Sequence, residues 1–259
     1  MINLIKKSKF WLPTVDYKFP RILTYHMVSE PERGRPFRGL KVSPKAFEAQ
    51  VKLMRDDGWT FYTLDDLAAG LKSGSLPEKS ICLTFDDGYR DNLTNALPIL
   101  EKYDACGTIF LVVDRHNNDW VNRRGKKKGA GDELVRQAKL SDDEVGQLIE
   151  SGRIEIGAHT ITHDDLCLID AEQQQQEIIT GRVLLQKKFD IAVNTFCYPY
   201  GSYNKESVEL CKQAGYTAAT TTVAGIETAI TPDFLQLPRI EVNSTTTGFI
   251  LRNRLRHGH

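Results

Sequence analysis

Residues 81–88 read ICLTFDDG, an apolar run that ends in two aspartates and a glycine. A short apolar run that stops at a turn residue is typical of a buried β-strand. Neighbouring side chains of a strand point to opposite faces, so Asp86 and Asp87 can face one cleft only if the strand ends beside them. Gly88 is suited to end it. The stretch therefore predicts a strand that brings two carboxylates to one edge of a sheet.

Strand-like and helical segments alternate on both sides of this stretch. The alternation favours a parallel sheet covered by helices, either open or closed into a barrel. No Gly-rich phosphate-binding loop follows a strand, which counts against a nucleotide-binding fold and favours a (β/α) barrel with its chemistry at the C-terminal strand ends. The other strand-like runs are 22–28, 59–63, 107–113, 153–158, 194–198, 217–222 and 236–242, and the helical patterns are 43–58, 64–71, 91–103, 142–150, 171–189 and 205–214.

The balance of charge argues against one class of function. The 259 residues include 34 Lys plus Arg and 34 Asp plus Glu, so the formal net charge is zero. A chain without net positive charge has no general attraction to nucleic acid, so we expect no DNA or RNA partner. Hydrophobic residues make up 41% of the chain, which is enough for one sizeable core.

Cysteine use and the apolar segments indicate a compartment. The five cysteines are an odd number without the close spacing of a zinc or redox motif, so we expect reduced thiols. No apolar run approaches the roughly 18 residues of a membrane-spanning helix. The apolar stretch 10–12 is much shorter than the core of a signal peptide. We therefore expect a cytoplasmic protein, and contact with a membrane through its two basic, apolar ends stays an open alternative.

A second motif carries two histidines at ligand spacing. Residues 155–163 read EIGAHTITH, a short strand that ends at His159, with His163 four residues later. Positions i and i+4 share one face of a helical turn, which suits two imidazoles on one metal ion. One aspartate with both histidines would make an open three-ligand site and leave the other aspartate as a general base. The structural alternative is that the aspartate pair caps a helix.

A third motif is a turn that follows a later strand. Residues 195–203 read TFCYPYGSY, in which Pro199, Tyr200 and Gly201 turn the backbone sharply. Such a turn can offer a backbone N–H to a developing oxyanion. It is equally the pattern of an ordinary Pro-Tyr-Gly turn, and the motif alone leaves both interpretations open.

The three motifs TFDDG, HTITH and YPYG, in this order, resemble those of the polysaccharide deacetylase family, the NodB-homology carbohydrate esterases. The resemblance extends from about residue 21 to residue 242 and implies a distorted (β/α)7 barrel. We expect an N-terminal extension at 1–20, a catalytic domain at 21–245 and a basic C-terminal tail at 246–259. By resemblance, Asp86 is the general base, Tyr200 supplies the oxyanion-stabilising backbone, and the metal ligands are Asp87, His159 and His163.

The sequence departs from the family pattern at two places. Cys197 occupies the position of an arginine that usually holds the base, and residues 237–242 read LPRIEV without the usual histidine acid. We expect Arg239 to replace the arginine from a different strand and His26 to replace the histidine. His26 ends the apolar run 22–25, where a barrel would bring it to the catalytic face. The alternative for His26 is a hydrogen-bonded core histidine.

These features resemble the branch of the family that contains the deacetylases of poly-N-acetylglucosamine and of surface-polysaccharide loci. The implied function is metal-dependent hydrolysis of the N-acetyl group of an amino sugar in a bacterial glycan or glycolipid, with release of acetate. The expected cofactor is a divalent metal ion: zinc suits the ligands, and iron, cobalt or nickel are alternatives. Two rival functions stay open: hydrolysis of an O-acetyl ester or a small amide, and sugar binding by a pseudoenzyme.

Residues 117–132, NNDWVNRRGKKKGAGD, interrupt the alternation of strands and helices. They have no apolar periodicity and contain five Lys and Arg residues within 123–128. Long loops in compact domains are often functional. The loop is interpreted either as a solvated excursion or as a lid that contacts an anionic glycan or a lipid carrier.

Overall fold

The computed structural model describes residues 17–32, 34, 38–116, 137–229 and 232–259, and within them a single parallel sheet has eight strands. Each strand overlaps one of the predicted runs. Residues 1–16 of the predicted N-terminal extension and the predicted loop at 117–132 lie outside the described residues. The strands are β1 (Arg21–Tyr25), β2 (Thr60–Tyr62), β3 (Ser80–Asp86), β4 (Gly107–Leu111), β5 (Ile154–Ala158), β6 (Thr195–Cys197), β7 (Ala218–Ala224) and β8 (Leu237–Glu241).

The sheet closes into a barrel because β1 pairs with both β8 and β3. The order β1-β8-β7-β6-β5-β4-β3 then forms a ring of seven parallel strands. The short strand β2 pairs with the N-terminal half of β3, while β4 pairs with its C-terminal half. The register between β7 and β8 shifts between Thr220 and Ala224. The predicted distorted (β/α)7 barrel is therefore confirmed.

Helices follow the strands, and several begin at caps that the sequence shows. Ser141 Oγ accepts a hydrogen bond from the backbone N–H of Glu144, and the Glu144 side chain accepts one from the backbone N–H of Ser141, which together form a capping box. The helices are α1 (Pro44–Asp56), α2 (Leu64–Ser73), α3 (Leu97–Lys102), α4 (Asp142–Glu150), α5 (Ala171–Gln175), α6 (Gly181–Phe189), α7 (Lys205–Ala214) and α8 (Gly248–His257).

Two of the predicted helices contain a π-helical segment that their sequences do not indicate. Asn92–Ala96 precedes α3, and Gln176–Thr180 joins α5 to α6. A π-helical turn inserts one residue into the helical repeat and occurs frequently at functional sites. In this fold both segments lie next to loops that carry predicted site residues.

The core lies between the strands and the helices around them. On α1 the apolar side is buried at Phe47, Val51 and Met54. The ring of Phe47 packs edge-on against Tyr25 of β1, and Tyr25 stacks on Phe85 of β3, with ring centroids 5.2 and 5.5 Å apart. Burial of one such aromatic side chain contributes about 1.5–3 kcal/mol, so this cluster holds α1 firmly against β1 and β3.

The C-terminal segment, expected as a basic tail at 246–259, forms a helix that docks on the barrel. Leu251 and Leu255 of α8 are buried at i,i+4 spacing, an apolar stripe that the basic residues around it obscure in the sequence. Arg21 Nε donates to the carbonyl of Leu255 at 2.7 Å, and Gln50 Nε2 donates to that of Thr246 at 2.8 Å. None of the helices in the described ranges has the length and apolarity needed to cross a membrane.

Candidate active site

The predicted site residues come together at the C-terminal ends of the barrel strands. Asp86 ends β3 and Arg239 lies on β8, whereas the remaining five follow strands β1, β3, β5 and β6. This is the face at which (β/α) barrels place their chemistry. The five residues that follow strands are His26, Asp87, His159, His163 and Tyr200.

Asp87, His159 and His163 form a buried cluster of potential metal ligands. Asp87 Oδ1 lies 3.4 Å from His159 Nε2 and 3.3 Å from His163 Nε2, and the three potential ligand atoms all lie within 4.8 Å of one another. A tetrahedral ion with ligand bonds of about 2.1 Å has ligand–ligand distances of about 3.4 Å. The two measured distances fit that spacing, so the residues present fit a divalent metal ion.

The backbone turns sharply where Asp87 leaves the strand. Asp87 has φ = 78° and Gly88 has φ = 67°, so the left-handed conformation begins one residue before the glycine that was expected to end the strand. For a residue with a Cβ this conformation costs roughly 1–2 kcal/mol. The turn directs Asp87 toward the histidines while Asp86 stays in β3, which separates the two carboxylates.

The loop that carries His163 is not the helical turn that the histidine spacing predicted. Thr160 has φ = 67° and His163 has φ = 61°, which are incompatible with a right-handed helix. Thr160 Oγ1 accepts a hydrogen bond of 3.0 Å from the backbone N–H of His163 and so closes the loop on itself. The two histidines therefore converge on Asp87 through a tight irregular loop and not through i,i+4 helical spacing.

Both imidazoles are held in defined states. His159 Nδ1 lies 2.7 Å from the carbonyl of Cys197, which fixes that nitrogen as the donor and leaves Nε2 toward Asp87. Burial lowers the pKa of His163 to about 4, so its ring is neutral near pH 7. Burial would raise the pKa of Asp87, but hydrogen bonds from His159 and His163 hold it well below its usual range. Burial would lower the pKa of His159, but its contacts with Cys197 and Asp87 raise it well above its usual range, so a metal ion bound beside the ionised Asp87 would displace the proton on His159 Nε2.

Asp86 is bound by a guanidinium at both of its oxygens. Arg239 Nη1 and Nη2 each lie 2.8 Å from a carboxylate oxygen of Asp86, so the predicted salt bridge is present. Arg239 is itself fixed by Thr84 Oγ1 at 3.0 Å and by the carbonyl of Thr221 at 2.9 Å. Burial would raise the pKa of Asp86, but Arg239 outweighs it and lowers that pKa. The carboxylate is therefore ionised at neutral pH.

Cys197 belongs to a second set of potential ligands, with Asp86 and His159. Its Sγ lies 3.7 Å from Asp86 Oδ2 and 3.2 Å from Arg239 Nη2. A guanidinium in contact with both Asp86 and the thiol opposes a metal cation there, because like charges repel. The set around Asp87 is the one suited to a metal.

His26 lies beside Asp86 on the catalytic face. Its Nε2 is 3.9 Å from Asp86 Oδ2, and 22% of its side chain is exposed. The carbonyl of His26 accepts a hydrogen bond of 2.9 Å from Asn92 Nδ2. This position, next to the proposed base and open to solvent, is compatible with an acid role, which itself stays a prediction.

Tyr200 lies in the turn after β6 and also has a left-handed backbone, with φ = 59°. Its ring meets the ring of His163 edge-on, with centroids 4.6 Å apart. Gly201 follows at φ = 65°, and a Cβ there would collide with the side chain of Thr222, so only glycine fits this turn. The proposed donation from the Tyr200 backbone to an oxyanion stays a prediction.

Two charged residues at the site were not predicted from the sequence. Lys139 Nζ lies 3.5 Å from the carbonyl of Asp87 and 3.4 Å from the ring centroid of Tyr89. Burial lowers the pKa of Lys139 to about 7, against the opposing effect of Asp87 and Asp91. The second is Glu177, which accepts hydrogen bonds from the backbone of the loop at residues 160–163, the histidine loop. Neither residue belongs to a motif, so no sequence signal marks them.

A closed parallel barrel with an Asp/His cluster and a separate ionised carboxylate at its C-terminal face makes this a (β/α)-barrel protein with a site suited to metal-assisted hydrolysis. The sequence pattern that defines the family described as Polysaccharide deacetylase matches residues 73–219. The chain belongs to this polysaccharide deacetylase family, which indicates a hydrolase that acts on polysaccharides.

Individual relatives support this membership. YxkH of Bacillus subtilis (strain 168), named for the same family, is 30% identical over 83% of this chain and 68% of its own length. The poly-beta-1,6-N-acetyl-D-glucosamine N-deacetylase of Staphylococcus aureus (strain MRSA252) is 24% identical over 81% of this chain and 70% of its own. The structure of the deacetylase PplD of Streptococcus pyogenes, in complex with acetate, is 26% identical with a TM-score of 0.77 and covers 92% of this chain and 98% of PplD.

Proposed function

We propose that this protein is a metal-dependent N-deacetylase that hydrolyses the N-acetyl group of an amino sugar in a bacterial glycan. One observation carries the proposal: the adjacent carboxylates at the end of β3 have different partners. Asp86 is bound by Arg239 at 2.8 Å, while Asp87 faces two imidazole nitrogens at 3.3 and 3.4 Å. This difference supports a base role for Asp86 beside a separate set of metal ligands, an arrangement suited to metal-assisted amide hydrolysis.

Asp87, His159 and His163 would hold the metal ion. A divalent ion bound there supplies Lewis-acid polarisation of the acetamide carbonyl and makes water more acidic. Zinc is the ion that an Asp/His set of this kind suits best, and iron, cobalt or nickel can occupy similar sets.

The other residues of the site have proton-transfer and charge-stabilising roles in this proposal. Asp86 accepts the proton of the attacking water, and Arg239 keeps its carboxylate ionised and oriented for that step. The backbone N–H of Tyr200 donates to the oxyanion of the tetrahedral intermediate. His26 protonates the leaving amine, and acetate and a free amino sugar are the products.

The proposed substrate is an N-acetylated glucosamine glycan or a glycolipid that carries one. The relatives from Staphylococcus aureus are named for deacetylation of poly-beta-1,6-N-acetyl-D-glucosamine. Oligomers of that polymer are therefore the first substrates to test. The cytoplasmic location, contact of the basic ends with a membrane and the absence of a nucleic-acid partner stay predictions.

Acetate release from a substrate panel, with the metal content measured in the same sample, tests the proposal. The panel contains β-1,6-linked N-acetylglucosamine oligomers, acetylated xylan as an O-acetyl ester, and a ureide-type small amide. We expect acetate from the N-acetylated oligomers with zinc-loaded protein and none after removal of the metal. Acetate from xylan alone would indicate an esterase, and glycan binding without acetate would indicate a sugar-binding pseudoenzyme.

A further inference from the structure

The loop that follows β5 and ends at His163 has a backbone conformation that needs support from its surroundings. Two of its residues with a Cβ, Thr160 and His163, have φ values of 67° and 61°. Such backbone is unfavourable and persists only where the surroundings over-determine it. Because His163 is one of these residues, whatever holds the loop also sets the direction of its imidazole.

One face of the loop is fixed by the barrel. The backbone N–H groups of Val113 and Asp114, which follow β4, donate to the carbonyls of Thr160 and Ile161 at 3.1 and 2.8 Å. In both bonds the loop contributes a carbonyl group and not an N–H group. The N–H groups of the same loop need acceptors from the opposite side, since buried backbone donors are almost always paired.

Glu177 supplies those acceptors. Its Oε2 accepts hydrogen bonds from the backbone N–H of Ile161 at 2.8 Å and of Thr162 at 2.9 Å. Its Oε1 accepts from Thr162 Oγ1 at 2.8 Å. The residue is only 7% exposed, and in the described part of the chain no Lys or Arg forms a salt bridge with it. Its charge is therefore satisfied chiefly by the histidine loop, through bonds of the stronger, charge-assisted kind.

The π-helical segment explains how Glu177 reaches the loop. Glu177 lies on Gln176–Thr180, where the extra residue changes which side chains face the barrel. At Gly181, which follows the segment, an added Cβ would lie 3.3 Å from Ile161 Cγ1 and 3.5 Å from the carbonyl carbon of Thr160. The helix backbone thus approaches the loop closely at this position.

We propose that Glu177 is a positioning residue for the metal site: it holds the 160–163 loop so that His163 Nε2 stays beside Asp87 Oδ1. The inference rests on the proposed metal site and adds a residue that acts through the backbone of the loop. Groups that hydrogen-bond directly to metal ligands typically change metal affinity by about 10–100-fold when they are lost, and we expect Glu177, which fixes the backbone next to His163, to act in the same range.

The test measures the affinity for Zn2+ by competition with a chelator, together with the thermal unfolding of the metal-free protein. We expect Glu177→Ala to bind Zn2+ about 10–100-fold more weakly and to change the absorption spectrum of bound Co2+. Glu177→Gln should recover most of the affinity, because its amide oxygen can still accept from both N–H groups while its amide N–H₂ donates to Thr162.

Glu155 provides a matched control. It is a carboxylate on β5 that accepts from the backbone N–H of Asp65 at 3.1 Å and from the hydroxyls of Thr108 and Thr195 at 2.7 and 2.5 Å. It therefore resembles Glu177 in its contacts but holds a different part of the barrel. Glu155→Ala should lower the unfolding temperature and leave the Zn2+ affinity of the folded protein within about twofold, well short of the change expected when a partner behind the ligands is lost.

Wild-type affinity for Zn2+ in folded Glu177→Ala would overturn the proposal. If that variant does not fold, Glu177→Asp tests the proposal instead. Its carboxylate is one methylene too short to reach both N–H groups, so this variant should bind Zn2+ more weakly than the wild type. Equal affinity of Glu177→Asp and wild type would then overturn it. Failure of the wild-type protein to bind Zn2+ would instead contradict the proposed function, so the two failures are distinguishable.

Discussion

Asp86 and Asp87 are neighbours in the chain and both are buried, yet the protein surrounds them differently. Asp86 is bound by the permanently charged guanidinium of Arg239, and Asp87 faces the titratable rings of His159 and His163. Both pKa values are lowered, one by a cation and the other by hydrogen-bonding imidazoles. The turn after β3 gives the two carboxylates different partners, and these partners determine which carboxylate is suited to a proton and which to a metal.

The contrast between the two carboxylates has a direct consequence for substitution. A metal ion can take the place of the protons between Asp87 and its two histidines, because the lone pairs that bind those protons can bind the metal ion instead. It cannot enter between Asp86 and Arg239, whose two parallel hydrogen bonds occupy both oxygens. We therefore expect changes on the Asp87 side to remove metal and activity together, and changes on the Asp86 side to remove activity alone.

The largest effect is expected from His159→Ala. The variant loses one of three ligands, and the buried Asp87 loses a hydrogen-bond partner at 3.4 Å. Metal content, measured by elemental analysis after dialysis, should fall to background, and acetate release should fall with it. Full metal occupancy in this variant would mean that the ion is bound elsewhere.

The next largest effect is expected from Asp86→Asn. The amide keeps the shape of the carboxylate but cannot accept a proton, so turnover should fall by about 10²–10⁴-fold, the usual contribution of general acid–base catalysis. Metal content should stay at the wild-type level. The matched variant is Asp87→Asn, the same chemical change one residue later, which should lose the metal. The distinction between the two carboxylates fails if both variants lose metal, or if both retain it.

Much of this arrangement could be predicted from the sequence, because short motifs encode local chemistry. The DDG stretch, the two histidines and the turn at Tyr200 follow strands whose apolar runs are plain, and a barrel brings strand ends together. The pairing of Arg239 with Asp86 could also be predicted, because a buried base without its usual arginine needs a cation from another strand.

What the sequence could not indicate depends on backbone geometry. A π-helical turn has the same composition as an α-helix, so nothing in the QQQQEI run marks Glu177 as the residue that faces the histidine loop. The i,i+4 spacing of His159 and His163 predicted a helical turn, but the left-handed backbone of Thr160 gives a similar convergence by another route. Helix α8 was missed because its basic residues obscured the two buried leucines.

A smaller effect on the Asp86 side is expected from His26→Ala. If His26 protonates the leaving amine, its loss should lower turnover toward the lower end of the range of about 10²–10⁴-fold, because water can partly replace an acid that is 22% exposed. The alkaline limb of the pH–rate profile should disappear, and metal content should stay unchanged. The control is His116→Ala, an exposed histidine. Unchanged turnover in His26→Ala would assign the acid role to another group.

The smallest effect is expected from Arg239→Lys, which keeps the positive charge but loses the two-pronged contact. One charge-assisted hydrogen bond to Asp86 is removed, which costs about 1.5–3 kcal/mol, and the looser orientation of the base should lower turnover by less than the roughly 10²–10⁴-fold expected for its loss. In the wild type, Arg239 holds the pKa of Asp86 below its ordinary value against the effect of burial. With lysine the burial effect gains weight, so that pKa should rise.

Since the base must be unprotonated, the acid limb of kcat/KM should then move to higher pH in Arg239→Lys, with the metal retained. The matched control is Arg252→Lys, because Arg252 also makes a two-pronged contact, from Nε and Nη2 to Asp57 at 2.8 and 2.9 Å, on an exposed surface of α8. Exposed pairs of this kind contribute about 0–1 kcal/mol, so its pH profile should match the wild type. An acid limb that does not move in Arg239→Lys would show that another group sets the charge state of the base.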